Sequence, residues 1–250
     1  MHIPQIIAVI GLVAFGSWSS PAQASRPIDR PEHRALIYDL EAFGTKAGKI
    51  EVVLSKPRSV AGRTLRAANL KAETAGTAAK MFRAVGEGTS WLDSNWLPVR
   101  MNWESEAKGK KRRVDAKMRV GKITGEASRA GEPFKPLDLS FDGRAVDFVG
   151  LSVWVASRPL RPGRVYKAPY FDGYRVGKIQ ATVRGTVEQI HIKSGLRKVL
   201  PIDVVVETDK GDRNSSFFIG IDDGVPYRID VEFSVLGTVR AELRSMQVRR

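Results

Sequence analysis

Hydrophobic and polar residues alternate along most of the chain beyond residue 35, a pattern typical of strands with one buried face. Leu36, Tyr38 and Leu40 form the first alternating run, and residues 50–54 form a second after a glycine-containing segment. Two such runs joined by a short polar segment predict an antiparallel hairpin. A third strand is expected over residues 63–71.

Alternation continues towards the C-terminus. Residues 97–103 and 114–120 both alternate, so residues 104–113 are expected to link them in a second hairpin. Seven further strands, separated by turns rich in Asp and Gly, are predicted at residues 164–170, 174–183, 187–192, 201–208, 215–221, 227–234 and 238–246.

Two segments have a helical period instead. Residues 74–85 place apolar side chains at positions i, i+3, i+4 and i+7, and Gly86 and Gly88 are expected to end this helix. A second helix is predicted over residues 144–156, where Pro159 follows its end. Together the patterns predict a mainly β (α+β) fold, a curved antiparallel sheet or half-barrel of about ten strands with two helices.

The N-terminus has the features of a secretory signal peptide over residues 1–24. Residues 6–18 are apolar but shorter than the roughly 20 residues that span a bilayer, and Ala22 and Ala24 occupy the positions that a signal peptidase reads. An uncleaved anchor is the alternative. Residues 25–34 are expected to form a flexible leader, and residues 35–250 a single β domain. We therefore expect a periplasmic or secreted protein of a Gram-negative bacterium, without a transmembrane segment after cleavage.

The chain has no cysteine, which excludes disulfides, thiol catalysis and a lipoprotein anchor. Its formal net charge of +14 lies entirely beyond residue 24 and favours acidic partners. In the expected compartment these are anionic lipids, lipopolysaccharide and acidic glycans, and export argues against nucleic acid.

Basic residues concentrate in the middle of the chain, with weaker stretches of the same sign at residues 58–71 and 158–167. Val114, Ala116 and Met118 are expected to face the core, which leaves a cationic outer face beside a cationic hairpin tip at residues 108–112. This surface is a candidate polyanion site, and a solvated strand edge is the alternative. Its residues are Lys108, Lys110, Lys111, Arg112, Arg113, Lys117 and Arg119.

Aromatic residues supply a second candidate site. Trp91, Trp96, Trp103 and Trp154 could line an apolar concavity or stack on sugar rings, and the alternative is that they belong to the core. His191 alternates with apolar neighbours and is expected on a polar strand face. Asp222 and Asp223 precede a glycine, as in a hairpin turn, and a weak cation site or an acid/base pair is the alternative. We expect no metal, no cofactor and no catalytic residue.

Several stretches carry a family resemblance. They are DFVGLSVWVASRPLRPGRVY (147–166), LPIDVVVET (200–208), FFIGIDDGVPYRIDVEF (217–233), GTVRAEL (237–243) and, in the N-terminal half, YDLEAFGTKAGKIEVVLS (38–55). The chain resembles the DUF3108 family, exported bacterial proteins of unknown function. The resemblance implies a periplasmic half-barrel of antiparallel strands and supplies no activity.

The sequence thus favours a non-catalytic binding or envelope-biogenesis factor for an anionic amphiphile or polysaccharide. The alternative is a protein-interaction module or subunit of an envelope complex with a protein partner. A hydrolase that uses Asp222 and Asp223 is a third hypothesis.

Overall fold

The structure, a computed structural model, describes residues 34–81, 83–208, 211–233 and 237–248. The predicted signal peptide and residues 25–33 of the predicted leader lie outside the described residues. Arg34 was expected to end the leader, but it is the first residue of the first strand.

Seventeen strands and two short helices form the described chain. The N-terminal elements are β1 (Arg34–Ala42), β2 (Thr45–Leu54), β3 (Arg58–Val60), β4 (Arg63–Thr74), α1 (Gly76–Met81), β5 (Ala84–Leu92), β6 (Pro98–Ala107), β7 (Lys110–Arg119), β8 (Lys122–Ser128) and β9 (Lys135–Ser140). The remaining elements are β10 (Val146–Asp147), α2 (Leu151–Ala156), β11 (Val165–Phe171), β12 (Val176–Val183), β13 (Glu188–Ile192), β14 (Gly195–Glu207), β15 (Arg213–Gly220), β16 (Pro226–Phe233) and β17 (Gly237–Val248).

All strands belong to one sheet that does not close into a barrel. β1 lies in the middle, between β2 and β17. On one side the sheet continues from β2 through β4, β5, β6, β7 and β8 to β9. On the other side it continues from β17 through β16, β15, β14, β12 and β11 to β10. Every pair is antiparallel except β10–β11.

The sheet coils around the segment that contains α2. Leu151, Trp154 and Val155 of α2 are buried, and they share one hydrophobic cluster with strands from both halves of the sheet. Trp103 of β6 meets Phe148 edge-to-face, with 5.1 Å between ring centroids. The face of the sheet turned towards α2, here called the inner face, is therefore filled by side chains.

The mainly β class and the seven C-terminal strands are confirmed, but the expected number of about ten strands is wrong. β8 and β9 come from segments without clear alternation, and β5 begins at Ala84, inside the last two residues of the first predicted helix. That helix is only α1, and Gly86 and Gly88 belong to β5 rather than ending a helix. The second predicted helix is also shorter, because residues 146–147 pair with β11 before α2 begins at Leu151.

A buried carboxyl group joins β5 to the turn before α2. Asp147 is completely buried; its Oδ2 accepts a hydrogen bond of 2.6 Å from the Ser90 hydroxyl, and its Oδ1 accepts one of 2.6 Å from the Gly150 N–H. Burial raises the pKa of Asp147 to about 6, although these hydrogen bonds oppose the shift. The protonated form is therefore favoured by folding.

Asp147→Asn should remove one component of the pH dependence of stability. Between the ordinary Asp pKa of about 4 and the raised value, the folded chain binds more protons than the unfolded chain, so the free energy of unfolding falls as pH rises. The wild type should lose about 2–3 kcal/mol relative to Asp147→Asn as pH rises from 4 to 7, with most of the loss between pH 4 and pH 6 and little further change above pH 7. Urea unfolding of both proteins at pH 4, 5, 6 and 7 measures this difference. A constant difference across the four pH values would contradict the assignment.

Candidate functional site

An apolar pocket of about 70 Å³ lies at the end of the sheet where β1 begins. Its walls come from β1, β2, α2, the turn between β5 and β6, and the turn before β16. Leu54 and Val153 are among the apolar side chains that line it. Elements far apart in sequence meet here because the coiled sheet brings both of its halves against α2.

Arg34 places a positive charge at the wall of this pocket. Its side chain is only 7% exposed, and Nη1 and Nη2 both donate to the carbonyl oxygen of Asp223 at 3.0 Å. Within the described part of the chain, its Nε has no hydrogen-bond partner and no carboxylate lies within ion-pair distance. Burial lowers the pKa of Arg34, and the charge of Asp223 opposes that shift. The pocket thus contains a buried cation with an unused donor.

The side chain of Asp223 is engaged in its own turn. Its Oδ1 accepts a hydrogen bond from the Val225 N–H at 2.9 Å, and its Oδ2 accepts one from the Tyr227 hydroxyl at 2.6 Å. Burial and the bond to Asp223 raise the pKa of Tyr227 to about 12. These contacts agree with the expected turn at Asp222 and Asp223, and they hold the carbonyl that orients Arg34.

The rim of the pocket carries further cations. Trp96, in the β5–β6 turn, has a positive φ of 63° and lines the pocket. The guanidinium of Arg66 lies 4.7 Å from the centroid of the Trp96 ring, and Arg158 donates from Nη2 to the Asn95 carbonyl at 3.1 Å. The two weaker basic stretches of the sequence therefore converge beside Trp96, which sequence reasoning did not predict.

The predicted basic hairpin lies elsewhere and has a different form. The turn is only Lys108–Gly109, with φ of 52° and 72°, so Lys110 to Arg113 belong to β7 and not to the tip. β6 runs from the turn with Trp96 to this tip, which places the tip at the far end of the strand from the pocket.

The cations of this hairpin do not share one surface. Val114, Ala116 and Met118 are buried as expected, and Arg113, Lys117 and Arg119 point to the opposite, outer face. Arg112 is on the same face of β7 as Val114 and is half-buried. Glu104 lies opposite Arg113 with 3.1 Å between Oε1 and Nε, and Glu106 lies opposite Lys111. These neighbouring glutamates therefore reduce the local positive charge of the hairpin.

The other three candidate tryptophans, Trp91, Trp103 and Trp154, do not join Trp96 at the pocket. Trp103 and Trp154 are 4% and 3% exposed and belong to the core, which is the alternative that the sequence left open. Trp91 is partly exposed on the outer face of β5, opposite Ala67 and Arg100. None of the three lines the pocket, and Trp96 does.

Neither metal ligands nor a spanning helix appear in the described ranges. No three His, Asp or Glu side chains there are placed to hold a metal ion together. His191 is exposed on β13 between the buried Ile190 and Ile192, as expected. None of the described helices has the length and apolar character needed to cross a bilayer.

The family model described as "Protein of unknown function (DUF3108)" matches residues 36–244. The chain belongs to the DUF3108 family. The matched region contains β2 to β16 and α2, and therefore most walls of the pocket. Among curated proteins, none matches this DUF3108 chain.

Solved structures similar to this DUF3108 protein support its fold. A β-barrel-like protein of the domain of unknown function DUF1849 from Brucella abortus has a TM-score of 0.57 and 14% identity, covering 88% of this chain and 99% of its own. A Bacteroides fragilis protein with a YmcC-like fold has 8% identity over 88% and 97% of the two chains, and its TM-score of 0.35 is too low to support a shared fold.

Proposed function

We propose that this DUF3108 protein is an exported, non-catalytic binding protein of the periplasm, whose pocket holds a single-chain anionic amphiphile. The observation that carries the proposal is the buried Arg34 in a pocket whose walls are mainly apolar. A cation removed from water is costly unless an anion pairs with it. The turn gives Arg34 a carbonyl oxygen to bond, whereas the nearby Asp223 carboxylate is hydrogen-bonded by Val225 and Tyr227 and makes no ion pair with Arg34 within the described residues. A ligand carboxylate or phosphate would provide the missing partner.

The apolar walls favour an amphiphile over a polysaccharide. Leu54 and Val153 offer no hydrogen bonds to sugar hydroxyls but suit methylene groups, whose burial contributes about 0.8 kcal/mol each. The cations at the rim, Arg66 and Arg158, would attract the anionic head before it reaches Arg34.

The pocket volume limits the size of the ligand. A cavity of about 150 Å³ holds one benzene molecule, so about 70 Å³ admits only the head-proximal end of one acyl chain, beside Arg34. The remainder of the chain would lie across the rim, against Trp96. A lipid with several acyl chains would require α2 to move, and we therefore propose a single-chain ligand.

Arg34→Met should weaken binding of a fluorescent single-chain fatty acid at least tenfold, which corresponds to about 1.4 kcal/mol. Methionine retains the apolar length of the side chain but removes the charge. Titration of the purified protein, with intrinsic and ligand fluorescence as readouts, measures the affinity. The matched control is Arg83→Met, an exposed arginine near the opposite hairpin tip, which should bind like the wild type.

Two results would contradict the proposal. One is equal affinity in Arg34→Met and wild type, with both proteins folded by circular dichroism. The other is a wild-type protein that binds no single-chain acid, phosphate ester or lysophospholipid. Mass spectrometry of organic extracts from the purified protein tests the same point, because a retained single-chain lipid is expected.

A second candidate function is protein interaction. β9 is largely exposed and, among the described strands, pairs only with β8, so one edge is available to a partner strand. Lys135 and Pro136 near the start of β9 disfavour unselective pairing. Crosslinking in the periplasm would yield a stoichiometric protein partner if this function holds.

A further inference from the structure

A trough of about 770 Å³ crosses the outer face of the sheet from β2 to β8. Six neighbouring strands contribute to it, and at about 4.8 Å per strand they give a length of roughly 24 Å. Asn69, Thr89 and Asn102 lie side by side on β4, β5 and β6, and form the central floor. The trough is separate from the pocket, which lies on the inner face.

The floor has fixed hydrogen-bonding groups. The hydroxyl of Thr89 donates to Asn69 Oδ1 at 2.7 Å, and the N–H of Thr89 donates to Asn102 Oδ1 at 2.8 Å. Both amide oxygens are thereby occupied, and each Nδ2 group remains a donor without a partner among the described side chains. Glu126 adds a carboxylate acceptor at the end of the same row.

Aromatic side chains flank the floor. Trp91 lies one row away on the outer face, beside Arg100, which in turn lies opposite Lys117. Phe134, which is 46% exposed, lines the trough near β8. Phe134 therefore lines the trough directly, whereas Trp91 is partly exposed at its margin. Aromatic faces beside rows of amides and carboxylates suit the apolar faces and the hydroxyl groups of sugar rings.

The residues that line the trough carry a net negative charge, which disfavours a polyanion as its ligand. Five carboxylates line it, on Glu51, Glu87, Glu104, Asp115 and Glu126, against two cations. The two cations, Lys71 and Arg113, already face Glu87 and Glu104 across the strands. In a chain with a net charge of +14, this face would repel an acidic polymer.

We propose that the trough binds an extended, uncharged, hydroxyl-rich glycan chain of several sugar units, with Trp91 stacking on a ring and Asn69 and Asn102 donating to hydroxyls. The trough lies on the outer face of the sheet and would take a different class of ligand from the pocket. Evidence for or against this site is therefore independent of the amphiphile site.

The test uses the full mature protein and two neutral hexasaccharides, cellohexaose and chitohexaose, with a sulfated hexasaccharide as the charged comparison. Isothermal titration should detect at least one neutral hexasaccharide, with little dependence on salt. Trp91→Ala and Asn102→Ala should each weaken that binding at least tenfold, and Trp96→Ala, at the pocket rim, should leave it unchanged.

Crossed measurements separate this site from the pocket. Trp91→Ala should bind the fluorescent fatty acid like the wild type, and Arg34→Met should bind the hexasaccharide like the wild type. Asn102→Ala, an exposed polar position, covers the case in which Trp91→Ala does not fold. The proposal is overturned if neither neutral hexasaccharide binds, if Asn102→Ala binds normally, or if the sulfated sugar binds more tightly at low salt.

Discussion

Trp103→Ala should lower the free energy of unfolding by about 3–5 kcal/mol. The indole is 4% exposed and meets the ring of Phe148, so truncation would leave a large cavity between β6 and the segment that enters α2. Urea unfolding followed by circular dichroism measures the change. A ligand-contacting tryptophan, which is the other hypothesis from the sequence, would affect binding far more than stability.

Trp91→Ala is the matched control for this prediction. It removes the same side chain from the outer face of the neighbouring strand, where the residue is partly exposed, and should cost clearly less than Trp103→Ala. Equal losses in the two variants would contradict the assignment of inner and outer faces.

Gly88→Val should destabilise the protein by more than about 3 kcal/mol, beyond the usual range for overpacking. A Cβ at this position would lie 2.3 Å from the Asn102 carbonyl oxygen and 2.8 Å from Cε3 of Trp103. The first of these contacts is with the backbone of β6, which cannot move without breaking its pairing with β5. The indole of Trp103 therefore uses the space that a side chain on residue 88 would need.

Glu87→Val controls for adding a β-branched residue to the same strand. Glu87 is exposed on the outer face, and its only ion pair with another described residue, Lys71, spans 3.8 Å, so the change should fall within about 0.5–1 kcal/mol. Thermal or urea unfolding of both variants gives the comparison. A Gly88→Val protein as stable as Glu87→Val would mean that β5 and β6 do not pair in this register.

Alternation predicted the C-terminal strands well because most of them have one face in the core and a more exposed second face, although residues 199–206 of β14 are buried on both faces. In β16, for example, Ile229 and Val231 are buried while their neighbours are more exposed. β5 escaped prediction because its inward positions include Gly86 and Gly88, which give no hydrophobic signal, and because apolar residues before it have a helical period. The local sequence pattern cannot reveal that the indole of Trp103, on the neighbouring strand, occupies the space beside Gly88.

The candidate site was harder to predict because its parts come from distant strands. Arg34 follows a polar, proline-containing segment, and its partner Asp223 is 189 residues away. Only the pairing of β1 with β17 and of β17 with β16 brings the two together. For the basic hairpin, the sequence overestimated the local positive charge. Glu104 and Glu106 lie on the facing strand, and only the strand register shows that they are opposite the basic residues.

Photo-crosslinking with a single-chain fatty acid that carries a diazirine a few carbons from its carboxyl group tests the central claim most directly. The labelled peptides of the wild-type protein should contain pocket residues, with Leu54, Trp96 and Val153 as the expected positions, and Arg34→Met should lose most of the label. Labelling concentrated on residues 108–119, or labelling that Arg34→Met leaves unchanged, would contradict the account.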